Sequence, residues 1–588
     1  MAKTKRKTAR TRRKKKVNVK AIVLLAIAVI IALAIITAII LVIRFLGQRK
    51  APAKEMTDLN YYYNLSANPA DGRQMAGPDE LAIVFEDDIL TERAFIKDSE
   101  VYIRLGLVTD NIDDRFYYDS NEQVLIVTDA VTSRAVYMEQ TGYATGDGQV
   151  STDYVILTEK NGTPYVAVDF VSDFTSAYYS VYEDPARIVI TYEVGEKTFC
   201  DAKKRTEIRV LGGVKAEVVG MVDSGSKLMV LDDLEDWLEV VSTEGWKGYV
   251  AASAVSEQYT ETVESDYDEP EYVSKNIGKA VKLGWASIDN YDGNDEYDNF
   301  TSDSGGILNV YCPTWYGLAG TNGEINDLAD QDYVDQAHED GYLVWAMFAD
   351  KSAEYAEQVL THTSTRLSVE DQIISSVLSY GMDGINIDFE HINSSYGNAY
   401  LQFLREMSIR CRLNDLYLSV DNYAPYEYNA CYHITEQGTL CDYVFLMAYD
   451  DYVGSGEVGP NSSLAFIREV LELTLSKVSA SEKVVVGLPF YSRVWAKTED
   501  GSLSRKEYTM DNAWDLMNEV GEDPEWDAES GTWTAEYTIS DTTYYAWIED
   551  EATIREKLNL VKGYDVGGVA FWCLGQEFTS VWNEVAGY

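Results

Sequence analysis

Polar and apolar residues alternate strictly through residues 385–390, in the second half of the chain. Side chains two positions apart share one face of a β-strand. Asn386, Asp388 and Glu390 are therefore predicted to point to one side of a strand, and the three apolar residues between them to the other. Polar groups on the inner face of a buried strand are costly unless they are paired or used. The pattern predicts a strand that carries a functional site toward its carboxyl end.

Short apolar runs alternate with stretches of helical periodicity from about residue 278 onward, which is typical of a parallel sheet. The predicted strands are residues 280–286, 307–312, 342–348, 384–390, 416–421, 443–449, 483–488 and 567–573. Eight strands within about 310 residues predict an α/β fold, a (β/α)8 TIM barrel over residues 276–588. An α+β insertion rich in Trp and Tyr is expected at about residues 497–550, between the last two strands.

The chain before the barrel is predicted to be multidomain. Within residues 81–200, Tyr102-Ile-Arg-Leu-Gly-Leu-Val is followed 63 residues later by the similar Tyr165-Val-Ala-Val-Asp-Phe-Val, which indicates a duplicated α+β module. Residues 204–256 contain five short strand patterns with tight turns, which predict a small β-barrel. Residues 44–80 lack periodicity and are interpreted as a stalk, and the acidic residues 257–275 as a solvated linker.

The amino terminus has the pattern of a membrane anchor. Residues 1–16 contain ten Lys or Arg and no acid, and residues 21–43 form an apolar run of 23 in which Thr37 is the one polar member. About 20 apolar residues span a bilayer, and a basic flank stays cytoplasmic. We therefore predict a basic cytoplasmic tail (1–20), a single-pass signal anchor (21–43) and an extracellular remainder at the cell membrane. A buried soluble helix is the alternative reading of the run.

Charge and cysteine content narrow the chemistry further. Residues 51–588 hold 35 basic and 97 acidic side chains, a balance that argues against nucleic-acid binding. The six cysteines are scattered and show no zinc spacing, so we expect buried thiols, with Cys431 and Cys441 the pair to check. No cofactor and no metal is expected. As alternatives, the polar row at 386–390 and the acidic loop at 289–296 could each bind calcium or magnesium through oxygen ligands.

Four segments together resemble a known family. Asp383-Gly-Ile-Asn-Ile-Asp-Phe-Glu390 resembles the DGxDxDxE signature of glycoside hydrolase family 18, the chitinase-like enzymes. Residues 445–450, 487–495 and 567–572 resemble the family's MxYD segment, its GxPxYxRxW segment and its closing tryptophan strand, in the same order. The departure is Asn386, where the family usually has Asp. In that respect the chain is more similar to the bacterial N-acetylglucosaminidases directed at cell wall and spore cortex.

The resemblance implies a retaining reaction in which the acetamide oxygen of the sugar attacks its own anomeric carbon. Glu390 would be the general acid and then the base, while Asp388 would orient the acetamide and stabilise the oxazolinium. Tyr449 would donate to the acetamide carbonyl, and Trp572 would stack beneath the ring. The expected catalytic set is Glu390, Asp388, Tyr449, Asn386 and Asp383. The expected substrate-binding set is Asp450, Met447, Trp572, Tyr491, Arg493 and Trp495.

The amide at position 386 leads to a hypothesis about the ionisation of Asp388. Two stacked carboxyls share a proton because like charges close together cannot both ionise comfortably. An amide can form hydrogen bonds but cannot hold a charge. We therefore expect Asp388 to ionise more readily here than beside a second aspartate, with a narrower pH profile on its acid side.

The sequence as a whole predicts a membrane-anchored extracellular enzyme that cleaves β-linked N-acetylglucosamine glycans of peptidoglycan or chitin. The 81–200 module resembles one found at the amino terminus of some copper amine oxidases, here without metal ligands, and residues 204–256 resemble a bacterial SH3-like domain. Both are expected to serve as spacers or wall-binding modules. A glycan-binding lectin on the same barrel and a structural wall tether are the alternatives, and exo or endo action stays open.

Overall fold

Eight parallel strands close into a barrel in the computed structural model, which describes residues 30–31, 33–39, 52–454 and 456–588. Barrel strands one to eight are Val281–Ala286, Val310–Pro313, Leu343–Ala349, Gly384–Asp388, Tyr417–Asn422, Tyr443–Met447, Val484–Pro489 and Gly568–Trp572. Each strand pairs in parallel with the next, and strand eight pairs with strand one from Val281↔Gly568 onward. The predicted TIM barrel is confirmed, and every predicted barrel strand overlaps an observed one.

Two apolar layers explain the alternation in the barrel strands. Ile385 and Ile387 of strand four belong to a core between the barrel and its surrounding helices. A second cluster, which includes Trp285, Trp345 and Phe445, fills the barrel interior. Neighbouring residues of a strand contribute to opposite layers. The polar residues of strand four therefore enter the barrel interior from the same side as these aromatic rings.

Helices and short elements connect the barrel strands. Several α-helices begin at a side chain that accepts a backbone N–H of the first turn, as at Asp330, Ser352 and Ser463. The α-helices are Tyr297–Ser304, Gln331–Glu339, Ala353–Leu360, Thr363–Tyr380, Gly397–Leu413, Ile434–Leu440, Leu464–Lys477, Glu551–Val561 and Trp582–Ala586. The 3₁₀ turns are Tyr291–Glu296, Glu427–Tyr432, Ser481–Lys483 and Thr579–Val581, and a small hairpin comprises Tyr316–Leu318 and Ile325–Asp327.

An antiparallel sheet with one helix lies between strand seven and the helix that precedes strand eight. Its strands are Ser492–Thr498, Leu503–Tyr508, Glu525–Asp527, Thr532–Ile539 and Thr542–Ile548, and its helix is Met510–Val520. Ala513 and Met517 of the helix pack with Val494 and Ala546 of the sheet in a small core. The sequence 497–550 therefore folds as an α+β element attached to the barrel.

The chain divides into two compact units, one with the residues up to Arg93 and Tyr179–Glu264, the other with Ala94–Tyr178 and Ser265–Tyr588. The first unit contains a seven-stranded antiparallel sheet. Its strands are Gly195–Asp201, Thr206–Arg209, Val218–Val222, Lys227–Asp233, Trp237–Ser242, Lys247–Ala251 and Tyr259–Val263. This unit also contains Leu59–Tyr62, Glu80–Phe85, Arg187–Thr191 and Ala252–Ala254, and it shares the strands Asp88–Lys97 and Tyr178–Tyr182 with the other unit. The SH3-like assignment of this segment stays a prediction.

The element order repeats where the sequence repeats. Each copy runs strand, helix and hairpin. The first copy has Glu100–Arg104, Leu105–Asn111, Phe116–Asp119 and Val124–Thr128, and the second has Thr163–Ala167, Val168–Phe174, Tyr178–Tyr182 and Arg187–Thr191. The remaining strands nearby are Asp88–Lys97, Ser133–Tyr137, Gly142–Thr145, Gly148–Ser151 and Leu157–Lys160. The division between the two units falls inside the predicted 81–200 module.

The first copy packs directly on the barrel helices within the larger unit. Asp119, which is 1% exposed, accepts hydrogen bonds from the N–H and the hydroxyl of Thr363, both at 2.7 Å. His362 at the helix start provides no side-chain cap, so Asp119 caps Thr363–Tyr380 from a distant part of the chain. Arg405 donates to Asp114 at 2.8 Å. The first copy is thus a fixed part of this unit.

The predicted membrane anchor lies mostly outside the described residues. Residues 30–31 and 33–39 are helical and exposed. Across the described ranges, no helix has the length and apolar character needed to cross a bilayer. The basic tail, the anchor and the cell-membrane location remain predictions.

Candidate active site

Asn386 on barrel strand four is a buried amide with both ends fully bonded. Its Oδ1 accepts the indole N–H of Trp285 at 3.0 Å and the thiol of Cys312 at 3.5 Å. Its Nδ2 donates to the Ser419 hydroxyl at 3.0 Å and to Asp421 Oδ1 at 2.8 Å. An amide offers two donors and two acceptor sites, so Asn386 is satisfied without a charge. It joins strand four to strands one, two and five inside the barrel.

Asp388 lies one step nearer the carboxyl end of strand four, among other carboxylates. Burial raises the pKa of Asp388 well above its usual range, and the negative charges of Asp421, Glu390 and Asp350 add to this, while Lys351 opposes it. The hypothesis that Asp388 ionises more readily beside an amide than beside a second aspartate stays a prediction. The neighbouring strand carries a buried carboxyl, Asp421, and burial raises its pKa well above the usual range as well.

Glu390 stands just beyond strand four, with its side chain exposed. The hydroxyl of Tyr423 donates to its Oε2 at 2.7 Å. Burial within the cleft raises the pKa of Glu390, the Tyr423 hydrogen bond lowers it, and Asp350 raises it again. The result is a carboxylic acid that keeps its proton to higher pH than a free glutamate, and it faces solvent where a substrate can reach it.

The residue after Glu390 is held by a buried aspartate. Asp350, at the end of strand three, accepts the N–H of His391 at 2.8 Å and pairs with its Nδ1 at 2.7 Å. The contacts fix the backbone direction directly after Glu390. They tie the ends of strands three and four together at the mouth of the barrel.

Strands six and seven place a second polar group at the same end of the barrel. Asp450 Oδ1 accepts the hydroxyl of Tyr491 at 2.8 Å and also binds Arg493 Nη2. Tyr449 is half-buried, its ring centroid lies 6.3 Å from that of Tyr491, and burial raises the pKa of its hydroxyl above its usual range. The negative charges of Asp421 and Asp388 raise that pKa further. Its hydroxyl remains a neutral donor throughout the ordinary pH range.

Aromatic side chains line the interior below these groups. Trp572, at the end of strand eight, lies with its ring centroid 6.0 Å from that of Trp285, the ring that binds Asn386. Met447 is buried at the end of strand six. Trp495 is buried, and its indole N–H donates to the Gly459 carbonyl at 2.8 Å, so it supports the loop after strand six. Trp572 is half-buried and is therefore the tryptophan of this group with an accessible face.

Asp383 is not brought together with the other predicted site residues. It precedes strand four, at the amino end of the barrel. Its Oδ2 accepts the Val344 N–H at 2.8 Å and lies 2.9 Å from His338 Nε2. Five residues of extended chain, about 17 Å, separate it from Asp388. The structure gives Asp383 the contacts of a residue that orders the start of strands three and four.

Asp421 and Tyr423 are functional candidates that the sequence reasoning missed. The run Tyr417-Leu-Ser-Val-Asp421 alternates apolar and polar residues as strand four does. This signal could have identified Asp421 as an inward-facing carboxyl. Tyr423 follows the strand in a loop and carries no such pattern.

No cluster of three or more His, Cys, Asp or Glu in the described ranges has a geometry that could hold a metal ion. The oxygen donors of the polar row are instead bonded to protein groups, as Asn386 and Asp421 are. All six cysteines fall within the described ranges and are free thiols, Cys431 and Cys441 included.

Comparisons with known proteins agree on the barrel. The model of glycosyl hydrolases family 18 matches residues 329–577. An uncharacterized glycosylase, YvbX, of Bacillus subtilis is 27% identical over 285 residues, which is 45% of this chain and 80% of the relative. The cortical fragment-lytic enzyme of B. subtilis is 25% identical over 246 residues, 39% of this chain and 55% of that protein. The chain thus spans most of the first relative and about half of the second.

Two solved structures align with this chain at lower identity. The chitinase from Chromobacterium violaceum aligns with a TM-score of 0.47 and 20% identity, over 52% of this chain and 98% of that one. The spore cortex-lytic enzyme SleL from Bacillus cereus aligns with a TM-score of 0.47 and 20% identity, over 55% and 78% respectively.

Proposed function

We propose that this chain, which carries a glycosyl hydrolase family 18 domain and is a glycosidase, hydrolyses β-linked N-acetylglucosamine glycans with the sugar's acetamide as the nucleophile. The observation that carries the proposal is Glu390, an exposed carboxylic acid at a strand end with a raised pKa. A general acid works best when its pKa lies near the working pH. Glu390 is the group of the mouth that can reach a glycosidic oxygen and still hold a proton.

The groups around Glu390 fit the substrate-assisted route. A glycosidase generally needs two carboxyl groups at the scissile bond, and the exceptions use the substrate's own acetamide. Asp388 lies deeper than Glu390 and is suited to accept the acetamide N–H and to stabilise the oxazolinium charge. Tyr449, whose raised pKa keeps it a donor, would bind the acetamide carbonyl. Trp572 would pack under the sugar ring, apolar face to apolar face.

Asp450 would position the sugar from the side opposite strand four. It is held by Tyr491 and by the buried guanidinium of Arg493, so its free oxygen has a fixed direction. A preorganised acceptor of this kind can bind a sugar hydroxyl without reorganising. Tyr491, Arg493 and Trp495 then act as its support, and Met447 as the apolar floor at the end of strand six.

Peptidoglycan is the substrate that we propose ahead of chitin. Asn386 in the signature segment and the likeness to a protein named cortical fragment-lytic enzyme support this choice. A predicted membrane anchor at the amino terminus would hold the barrel at the cell surface, next to the wall. We propose that the preceding modules serve as wall-facing supports there.

The proposal is tested by turnover of a labelled N-acetylglucosamine oligomer by the full chain, beside Glu390→Gln and a control, Glu427→Gln. Glu427 is exposed on the loop after strand five and is outside the catalytic group. Loss of a general acid costs about 10²- to 10⁴-fold in rate. We expect that loss in Glu390→Gln, with oligomer binding retained and with Glu427→Gln at the wild-type rate.

The second candidate, a glycan-binding lectin, predicts binding without turnover in the wild-type chain. A rate for Glu390→Gln within a few-fold of wild type would remove Glu390 from the acid role. Product analysis on purified peptidoglycan and on chitin would then decide the substrate. Cleavage of chitin alone would contradict the preference for peptidoglycan.

A further inference from the structure

We infer that Asp421 is a positioning residue for Asp388, supplying from strand five the second carboxyl of an acid pair whose strand-four position is occupied by Asn386. The inference rests on the proposed function and assigns the acid partner through which Asp388 would work. It concerns a residue to which neither the family signature nor the sequence pattern gave a role.

The orientation of Asn386 fixes the state of Asp421. The indole nitrogen of Trp285 can only donate, so the atom of Asn386 that it meets at 3.0 Å must be the carbonyl oxygen. The NH₂ group therefore faces Asp421 at 2.8 Å and donates to it. Asp421 is 2% exposed, and burial raises its pKa well above the usual range, while the hydrogen bond from Asn386 favours its charged form.

Strand register places Asp421 beside Asp388. Asn386 pairs with Ser419 and Ile387 with Val420, so the next position along sets Asp388 against Asp421. Paired strands lie about 4.8 Å apart, and residues of matching parity point to the same side. Both carboxyls therefore enter the barrel interior next to each other, where two full charges would repel strongly.

The remaining groups around the pair do not neutralise it. The negative charges of Glu390 and Asp350 also raise the pKa of Asp388, and the positive charge of Lys351 lowers it. The negative charges of both carboxyls also raise the pKa of the Tyr449 hydroxyl and that of the Cys312 thiol. The charge of Asp388 raises the pKa of Tyr423, whose hydroxyl donates a hydrogen bond to Glu390. Burial raises the pKa of both carboxyls, and the hydrogen bond from Asn386 lowers that of Asp421 alone, so the proposal places the single shared proton on Asp388 at rest.

A shared proton gives Asp388 two states. When the acetamide N–H of a sugar arrives, Asp388 must be a carboxylate to accept it. The proton passes from Asp388 to Asp421, so the pair keeps a total charge of minus one and no proton leaves the site. Asp421 in its neutral form still accepts from Asn386 through its carbonyl oxygen. Asn386 and Asp421 together thus do the work of an aspartate at position 386.

The test is the pH profile of kcat/KM for Asp421→Asn on the N-acetylglucosamine oligomer. The singly protonated wild-type pair is active because Asp421 can take the proton, whereas Asp388 alone must lose its proton to solvent. Because Asn386 stabilises the charged form of Asp421 and not that of Asp388, the acid limb of the variant should move to higher pH by about one unit or more, the strength that defines an interacting pair. The alkaline limb, which belongs to Glu390, should stay in place because the net charge beside it is unchanged.

Two further variants make the result specific. The double variant Asn386→Asp with Asp421→Asn moves the carboxyl to strand four and should return the acid limb toward wild type. Asp442→Asn is the matched control, since Asp442 is a buried carboxylate that binds Leu418 and Lys275 N–H groups at the amino ends of strands five and six. It should leave both limbs where they are.

The outcomes separate this inference from the proposed function. An active Asp421→Asn enzyme whose acid limb does not move overturns the inference, as does an even loss of rate at every pH. Should the wild-type chain show no turnover, the proposed function fails, and infrared spectra still test the pair. A protonated-carboxyl band at neutral pH that disappears in Asp421→Asn supports the pair, and a band unchanged in the variant overturns it. If Asp421→Asn does not fold, the double variant decides in the same way.

Discussion

Replacing Asp119 with alanine should loosen the first copy of the repeat from the barrel helices. Asp119 accepts four hydrogen bonds. Its Oδ2 accepts the N–H and the hydroxyl of Thr363, and its Oδ1 accepts the N–H groups of Asn121 and Glu122. Thr363 is buried, so its two donors would be left without water or protein partners. Each buried orphan costs about 1–3 kcal/mol, whereas the Asn121 and Glu122 donors lie in a turn that water can reach.

We therefore expect Asp119→Ala to lower the free energy of unfolding by about 3 kcal/mol, which includes the loss of the helix cap. Urea unfolding of the full chain, followed by tryptophan fluorescence, measures it. Asp147→Ala, at an exposed turn between the two copies, is the control and should change stability by less than about 0.5 kcal/mol. A double-mutant cycle with Thr363→Ala should give a coupling of about 0.5–3 kcal/mol. Equal stability of the two single Asp variants would refute the docking argument.

Other consequences can be checked on the same chain. Tyr423→Phe removes the hydroxyl that lowers the pKa of Glu390. The pKa of Glu390 should therefore rise, and the alkaline limb of kcat/KM should move to higher pH. The control is Tyr428→Phe, at an exposed position of the same loop, which should leave the alkaline limb in place. An alkaline limb that falls or stays in Tyr423→Phe would contradict the role of that bond. Because all six cysteines are free thiols, a reducing agent should leave the urea midpoint unchanged, and a lower midpoint under reduction would reveal a disulfide.

The barrel could be predicted from sequence because its signal is local. Alternation within five or six residues, repeated eight times with helical stretches between, specifies strands and the side to which their polar groups point. Asn386, Asp388 and Glu390 were placed by that rule alone. Asp421 obeys the same alternation, but its strand lies outside the four segments that resemble the family, so the sequence alone gave it no role.

Other features depend on parts of the chain that are far apart in sequence. Asp119 lies 244 positions from Thr363, the residue that it caps, and no periodic pattern in the sequence predicts this contact. Asp383 was placed with the catalytic set by its position in a motif, yet its hydrogen bonds belong to the opposite end of the strand. A motif gives neighbours in sequence, whereas a site is defined by neighbours in space. The division of the 81–200 segment between two units was hidden for the same reason.

The two copies of the repeat have diverged at the residues that matter for docking. At the 63-residue offset, the acids of the first copy that bind barrel helices have non-acidic counterparts in the second: Asp114, Asp119 and Glu122 correspond to Ala177, Tyr182 and Pro185. The side chains that hold the first copy against the barrel helices therefore have no acidic equivalents in the second copy. Two segments with the same order of elements differ in whether they can bind the barrel, and three carboxylates make that difference.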